Sequence, residues 1–291
     1  MVNIRIPKKI YELVSCHLGA LLIGFAAIFP KLITLPASII TFWRACIALL
    51  CLFVFLFIKK ELKSIKSHWK GLFIMGFFLC MHWIFFFYSV QVSTVAIGII
   101  SIFIYPLLSV MLDGYFLNKG IQKHYIFLGI VLIFGIACLV PELSFENNVT
   151  LGVVLGLLGG VSFAIRNSIS QYYLNYYSPF YLLFIQCSVT AIILFPFVFS
   201  HSLFIPQGMN IFYLIGLGLF VTAIGHGLLI SSYAYLSAGV ASLIASIEVL
   251  YSVVFGFLLL SEIPSLRTFI GGGIIFVIVT LSSVWSMKEI R

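Results

Sequence analysis

Ser237-Ala238-Gly239-Val240-Ala241-Ser242-Leu243-Ile244-Ala245-Ser246-Ile247-Glu248-Val249-Leu250-Tyr251 opens the stretch that decides the fold. It runs on through apolar residues to Leu260, turns at Ser261-Glu262, and resumes as a second apolar run to Val284. Two spans of about 20 residues, each long enough to cross a hydrocarbon core, thus meet at a short turn holding Glu262, Pro264 and Arg267. One carboxylate, Glu248, falls near the middle of the first span. A charge at that depth costs about 3 kcal/mol or more, so acids there usually have a task.

An earlier stretch resembles this one. Ser93 to Val140 runs Ser-Thr-Val-Ala-Ile-Gly-Ile-Ile-Ser, reaches Tyr105-Pro106, passes a short polar turn and enters another span. A constant shift of 143 places Pro36 on Pro179, Ala96 on Gly239, Tyr105 on Glu248, Lys119 on Glu262 and Gly129 on Gly272. A repeat of half the chain is the mark of a duplicated membrane bundle. The expected domains are residues 1–145 and 146–291.

Composition agrees. The 291 residues are 63% hydrophobic and 8% charged, against about 25% charged in soluble domains. The net charge of +8 does not point to nucleic acid, because the basic residues sit in short loops between apolar runs. Cys16, Cys46, Cys51, Cys80, Cys138 and Cys187 all lie inside apolar runs without CxxC spacing, so buried thiols are expected, not disulfides or zinc. The first run ends in Phe29-Pro30-Lys31 without a small-x-small cleavage site, which favours an uncleaved helix.

Ten spans can be marked, at 12–30, 36–58, 70–90, 94–117, 124–141, 151–172, 179–200, 210–231, 236–260 and 267–286. With the N-terminus inside, 12 of the 16 Lys and Arg residues fall in inner segments. Only Lys31 and Arg267 fall in outer turns, and Arg44 and Arg166 fall within spans. Both termini are therefore expected in the cytoplasm. Five spans per repeat is an odd number, so the second repeat must be inverted. The fold expected is an all-α integral membrane protein of ten transmembrane helices in two inverted five-helix repeats. Gly152, Gly156, Gly160 and Ala164 recur every fourth residue, as do Ala238, Ser242 and Ser246; such stripes let helices approach closely. Gly271, Gly272 and Gly273 read the same way.

The pattern resembles the drug/metabolite transporter superfamily, in particular its EamA-type members. The resemblance rests on Ala234 to Ser242, Glu248 and Ser261-Glu262 before a Gly-rich span. In the first repeat it rests on Gly24 before Lys31, Pro36 before Arg44, and Tyr105-Pro106. The chain departs from the family pattern at Lys119, where Glu is expected, at Val249, where Pro is usual, and at Arg166-Asn167, where the first repeat has Pro30-Lys31. The resemblance implies a solute transporter of a bacterial cytoplasmic membrane. It also implies that spans five and ten lie outside the central cavity and can support dimer contacts, so the protein is expected to be a monomer or a homodimer.

The polar residues within spans are the candidate substrate-binding or coupling groups. Glu248 suits a proton carrier or an ammonium site, or else a static partner for Arg44 or Arg166. Arg166 suits a substrate carboxylate or snorkels inward. Arg44 suits the same ligand, or ties neighbouring helix ends through backbone carbonyls. Asn167 stands beside Arg166. His82-Trp83 and His226 occupy equivalent regions, with Trp83 aligned on His226; they read as packing residues or as a cavity wall with a proton relay. Tyr88, Tyr105 and Tyr251 are candidates for an aromatic cavity, and Asp113 for an interface anchor. No cofactor and no metal are expected.

The function expected is alternating-access transport of a small amino acid-like or zwitterionic solute, with protons as the candidate coupling ion. Efflux of cationic or amphiphilic drugs is the alternative within transport. A membrane assembly protein has no need of Glu248 and Arg166. An enzyme would need a motif such as HExxH or GxSxG, and neither is present.

Overall fold

The computed structural model describes residues 8–62, 68–93, 95–116, 123–139, 149–199, 205–260 and 266–288. Among these every regular element is helical. The order begins α1 (Lys8–Gly24), a 3-10 turn at Phe25–Ala27, α2 (Phe29–Leu32), α3 (Ala37–Lys59), α4 (Trp69–Val92), α5 (Val95–Ile102), α6 (Tyr105–Phe116) and α7 (Lys123–Leu139). It continues α8 (Val149–Tyr173), α9 (Pro179–Phe199), α10 (Met209–Gly216), a π-helical stretch at Leu217–His226, α11 (Gly227–Ser232), α12 (Ala238–Ala245), α13 (Glu248–Leu260) and α14 (Leu266–Lys288).

Six helices among the described residues are long and apolar enough to cross a membrane: Ala37–Lys59, Trp69–Val92, Thr150–Tyr173, Pro179–Phe199, Met209–Ser232 and Ala238–Leu259. The apolar helices Ile10–Gly24, Lys123–Ala137 and Phe269–Trp285 are shorter. The expected fourth span is divided into α5 and α6. Large apolar side chains cover the outer surface, including Phe57, Phe134, Phe197, Phe212 and Phe276. That inverts the soluble pattern and suits lipid. α7 and α14 present Phe127, Ile130, Phe269 and Val277 outward, as expected of peripheral helices.

The shift of 143 recurs in the helix boundaries. α5 and α12 both begin and end 143 positions apart, and the starts of α6 and α13, and of α7 and α14, differ by the same number. Both divided helices break at the same place. In the first, Pro106 has no N–H to donate, and the chain turns at Phe103–Ile104. In the second there is no proline. The ladder instead tightens to i→i−3 bonds, from Ile247 N to Ile244 O and from Val249 N to Ser246 O. The Ser246 hydroxyl donates back to Ser242 O at 3.0 Å, a bond that bends helices.

The small-residue stripe packs as expected. A Cβ on Gly152 would overlap the Ser93 side chain, and one on Gly156 the Ser101 Cβ. One on Gly160 would meet the Ile102 carbonyl at 2.6 Å. Thus α8 lies directly against the first divided helix.

The bundle has two ends. At one, Gln91 donates to Leu35 O at 2.9 Å and accepts from Ala37 N, while Thr34 N donates to Asn210 Oδ1. At the other, His68 Nδ1 meets the Tyr177 hydroxyl at 3.1 Å. There too Asp113 Oδ2 accepts from Gly239 N at 2.7 Å, and Gln171 Oε1 accepts from Ala238 N at 2.9 Å. These are called below the Pro36 end and the His68 end. Asp113 is buried at that end of the bundle, where it accepts from the first turn of α12.

Lys63, Lys66, Lys119, the 145/146 domain boundary and the turn with Glu262 and Pro264 lie outside the described residues. So do the side chains of Arg267 and Cys138. The other five cysteines are free thiols.

Candidate functional site

The second break puts Glu248 at the head of α13, and the first puts Tyr105 at the head of α6. Both residues line one cavity, bordered also by Arg44 of α3, by His82, Trp83 and Phe86 of α4, and by Phe163 of α8. His226, at the end of the π-helical stretch, completes the polar lining with Ser252 of α13. The cavity encloses roughly 610 Å³ when its open mouth and the solvent there are counted. Ile23, in the last turn of α1, Ile99 of α5 and Val249 of α13 also border it. Its walls therefore lie towards the Pro36 end. At the His68 end the helices are tied together by the Asp113, Gln171 and His68 bonds.

Arg44 is 2% exposed. Its Nε and Nη2 both donate to Thr222 Oγ1, at 3.1 and 3.0 Å. Its guanidinium lies over the Trp83 ring, 4.1 Å from the centroid. The π-helical register sets this up, because Thr222 donates to Leu217 O five residues back, at 2.8 Å. Extra residues of this kind often mark functional sites in helices. The expectation that Arg44 ties backbone carbonyls is not met; a hydroxyl and an indole face hold it.

The Glu248 carboxyl is half-buried. It is close enough to the Tyr105 hydroxyl to interact with it, although that hydroxyl closes no hydrogen bond. Neither Arg44 nor Arg166 has a carboxylate at ion-pair distance among the described residues, so Glu248 is not their static partner here. His82 stacks on Phe163 at 4.0 Å and its Nδ1 meets Gly159 O at 3.1 Å. His226 stands edge-on to Trp83 at 5.7 Å, and its Nδ1 has no partner. The two histidines thus belong to the cavity wall.

Arg166, Asn167 and Tyr251 lie outside the lining. Arg166 is fully buried and does not snorkel. Its Nε donates to Gln186 Oε1, and its Nη1 donates to Asn167 Oδ1 at 2.9 Å. Tyr251 packs against Gly24, where an added Cβ would meet Tyr251 Cβ at 2.9 Å. Tyr88 faces outward, 47% exposed, and is no part of the cavity.

Sequence reasoning missed Thr222, Gln186, Phe163 and Ser252. Gln186 had a readable signal, since a buried amide in an apolar run needs a partner. Thr222 had none, because the π-helical register that aims it is not encoded in a short motif. Among the described residues no cluster of three or more His, Cys, Asp or Glu could hold a metal.

A profile described as the EamA-like transporter family matches residues 11–140 and 150–284. A "Pseudopaline exporter CntI" of Pseudomonas aeruginosa (strain UCBPP-PA14) is 24% identical over 250 residues, 84% of this chain and 85% of that protein. An "Uncharacterized transporter YxxF" of Bacillus subtilis (strain 168) is 24% identical over 294 residues, 97% of this chain and 92% of that one. A solved crystal structure superposes with a TM-score of 0.83 at 12% identity, covering 96% of this chain and 98% of its own; that likeness concerns the fold alone.

Proposed function

This chain belongs to the EamA-like transporter family, and from that premise we propose that it is a secondary transporter of a small zwitterionic, amino acid-like solute. It is a multi-pass membrane transporter and not an enzyme. One observation carries the substrate class: Arg44 and Glu248 line the same aromatic-walled cavity without pairing to each other. A cation and an anion held apart can each take the opposite charge of one ligand. A drug-efflux site for cations would be opposed by the guanidinium of Arg44 in the same space.

Alternating access is supported by the common offset of the helix boundaries and by the paired breaks. Discontinuous helices at a repeat interface commonly form transporter binding sites. We take residues 1–145 and 146–291 as two inverted five-helix repeats. Ten spans then follow when each divided helix counts once. The charge distribution favours a cytoplasmic His68 end in a bacterial inner membrane, with both termini inside. The cavity then opens outward. Glu248 is the coupling candidate, exchanging a proton or a substrate ammonium, with Tyr105 beside it.

The test is uptake of a radiolabelled amino-acid panel into proteoliposomes, with and without a pH gradient. Saturable uptake of zwitterions but not of quaternary ammonium dyes is the expected result. Transport of the dyes alone would replace this substrate class with cationic drugs.

A further inference from the structure

Arg44 lies seven residues beyond Ala37, the start of α3. Arg166 lies seven residues before Tyr173, the end of α8. At 1.5 Å per residue, each backbone sits about 10 Å from its end of the bundle. The two ends are opposite: Arg44 is near the Pro36 end and Arg166 near the His68 end. A row of rings joins them. Arg44 lies over Trp83, Trp83 meets His226 edge-on at 5.7 Å, and His226 meets Phe163 at 6.0 Å. Phe163 in turn underlies the Arg166 guanidinium at 5.5 Å.

The surroundings of Arg166 are polar but incomplete. Gln186 and Asn167 take two of its donors, and Ser170 bridges the cluster, donating to Arg166 O at 2.7 Å. Arg166 Nη2 and Asn167 Nδ2 are buried with no acceptor. Both residues are 0% exposed. Gln186 and Asn167 each turn an oxygen towards the guanidinium, so neither neutralises its charge. A buried cation with an unused amino group, next to an unused amide, is a donor pair shaped for a planar anion.

We propose that Arg166 and Asn167 form a second carboxylate-binding station on the His68 side of the cavity floor, separate from Arg44. It rests on the transport reading for its place in the cycle. Arg44 takes the substrate carboxylate when the Pro36 end is open, and Arg166 takes it when the His68 end is open. Phe163, His226 and Trp83 form the partition between the two stations. In the conformation described here the partition is closed, and the donors of Arg166 wait behind it.

Phenylacetate tests the site apart from transport, since it offers a carboxylate and a ring but no ammonium. Thermal unfolding of the purified full chain would be followed in detergent against sodium phenylacetate, for wild type, Arg44→Gln, Arg166→Lys and the double variant. The expected result is a saturable stabilisation that survives in Arg44→Gln and disappears in Arg44→Gln/Arg166→Lys, because lysine keeps the charge but not the fork. Should Arg166→Lys fail to fold, Asn167→Leu in the Arg44→Gln background serves instead, with an expected loss of affinity of about tenfold. An Arg44→Gln protein that no longer responds to phenylacetate would overturn the second station. So would a double variant that responds as Arg44→Gln does. If no solute were transported in proteoliposomes while the Arg166-dependent response persisted, the transport reading would fall and the site would stand.

Discussion

Tyr105 and Glu248 stand 143 positions apart and occupy the same structural place, each the first residue after the break in a divided helix and each on the cavity wall. The frame is duplicated, but the chemistry is not. One half supplies a hydroxyl and the other a carboxyl, and the two are close enough to interact. A symmetric structural role would use one residue type twice. Unlike residues at equivalent positions suit a binding or coupling task.

Glu248→Gln tests that asymmetry, since it preserves shape and hydrogen bonding while removing the charge. The variant is expected to reach the membrane but to lose accumulation driven by a pH gradient, while solute exchange across proteoliposomes continues. Loss of exchange as well would mark Glu248 as the ammonium site. Undiminished accumulation would return it to a structural role.

Arg44 depends on Thr222, which takes two of its donors. Thr222→Val removes the acceptor and leaves a buried guanidinium supported by the Trp83 and Phe87 rings. Hydrogen bonds to charged groups are worth about 1.5–3 kcal/mol, so a fall in thermal stability is expected. With the guanidinium less firmly aimed, KM for a zwitterion should rise about tenfold. Unchanged KM and stability together would show that the two rings position Arg44 without Thr222.

Much of this could be read in advance. The repeat offset, the membrane class and the charged candidates follow from Glu248, Arg44 and the shift of 143, because charges are rare and costly in lipid. The span 94–117 reads as continuous although Pro106 stands at the first break, and the second break has no proline and depends on Ser246 bonding back along its helix. Tyr88 and Tyr105 look alike in sequence, yet one faces lipid and the other the cavity. That difference is set by packing between helices, which a chain without strong amphipathic periodicity does not display. Distance along the span places Asp113 near an interface; its partner, Gly239 N, lies 126 residues away and has no local sign.

Orientation can be tested at two exposed turns, Thr34 and Asn175, which lie at opposite ends of the bundle. In a cysteine-free background, Thr34→Cys should react with an impermeant maleimide in intact cells. Asn175→Cys should react only after permeabilisation. The reverse pattern would place the basic end outside and invert the expected topology.

The bond between Asp113 and Gly239 joins α6 to α12 at the His68 end, and Gly239 is required there. A Cβ on it would lie 2.5 Å from Val110 Cα and 2.7 Å from Asp113 Oδ2. The carboxylate accepts from a backbone N–H in the first turn of α12, where the helix dipole also favours it. We expect this bond to hold the His68 end closed. Asp113→Ala removes the acceptor, and a charge-assisted bond of about 1.5–3 kcal/mol corresponds to a population shift of roughly 10- to 150-fold. Leu236, buried two residues before the start of α12, provides the reporter. A cysteine placed there should be slow to react with maleimide in the otherwise native chain and much faster in the Asp113→Ala protein. Transport should slow as well, because a carrier biased towards one open state returns less often to the other. Equal labelling rates with and without Asp113 would show that the surrounding apolar contacts alone keep this end shut.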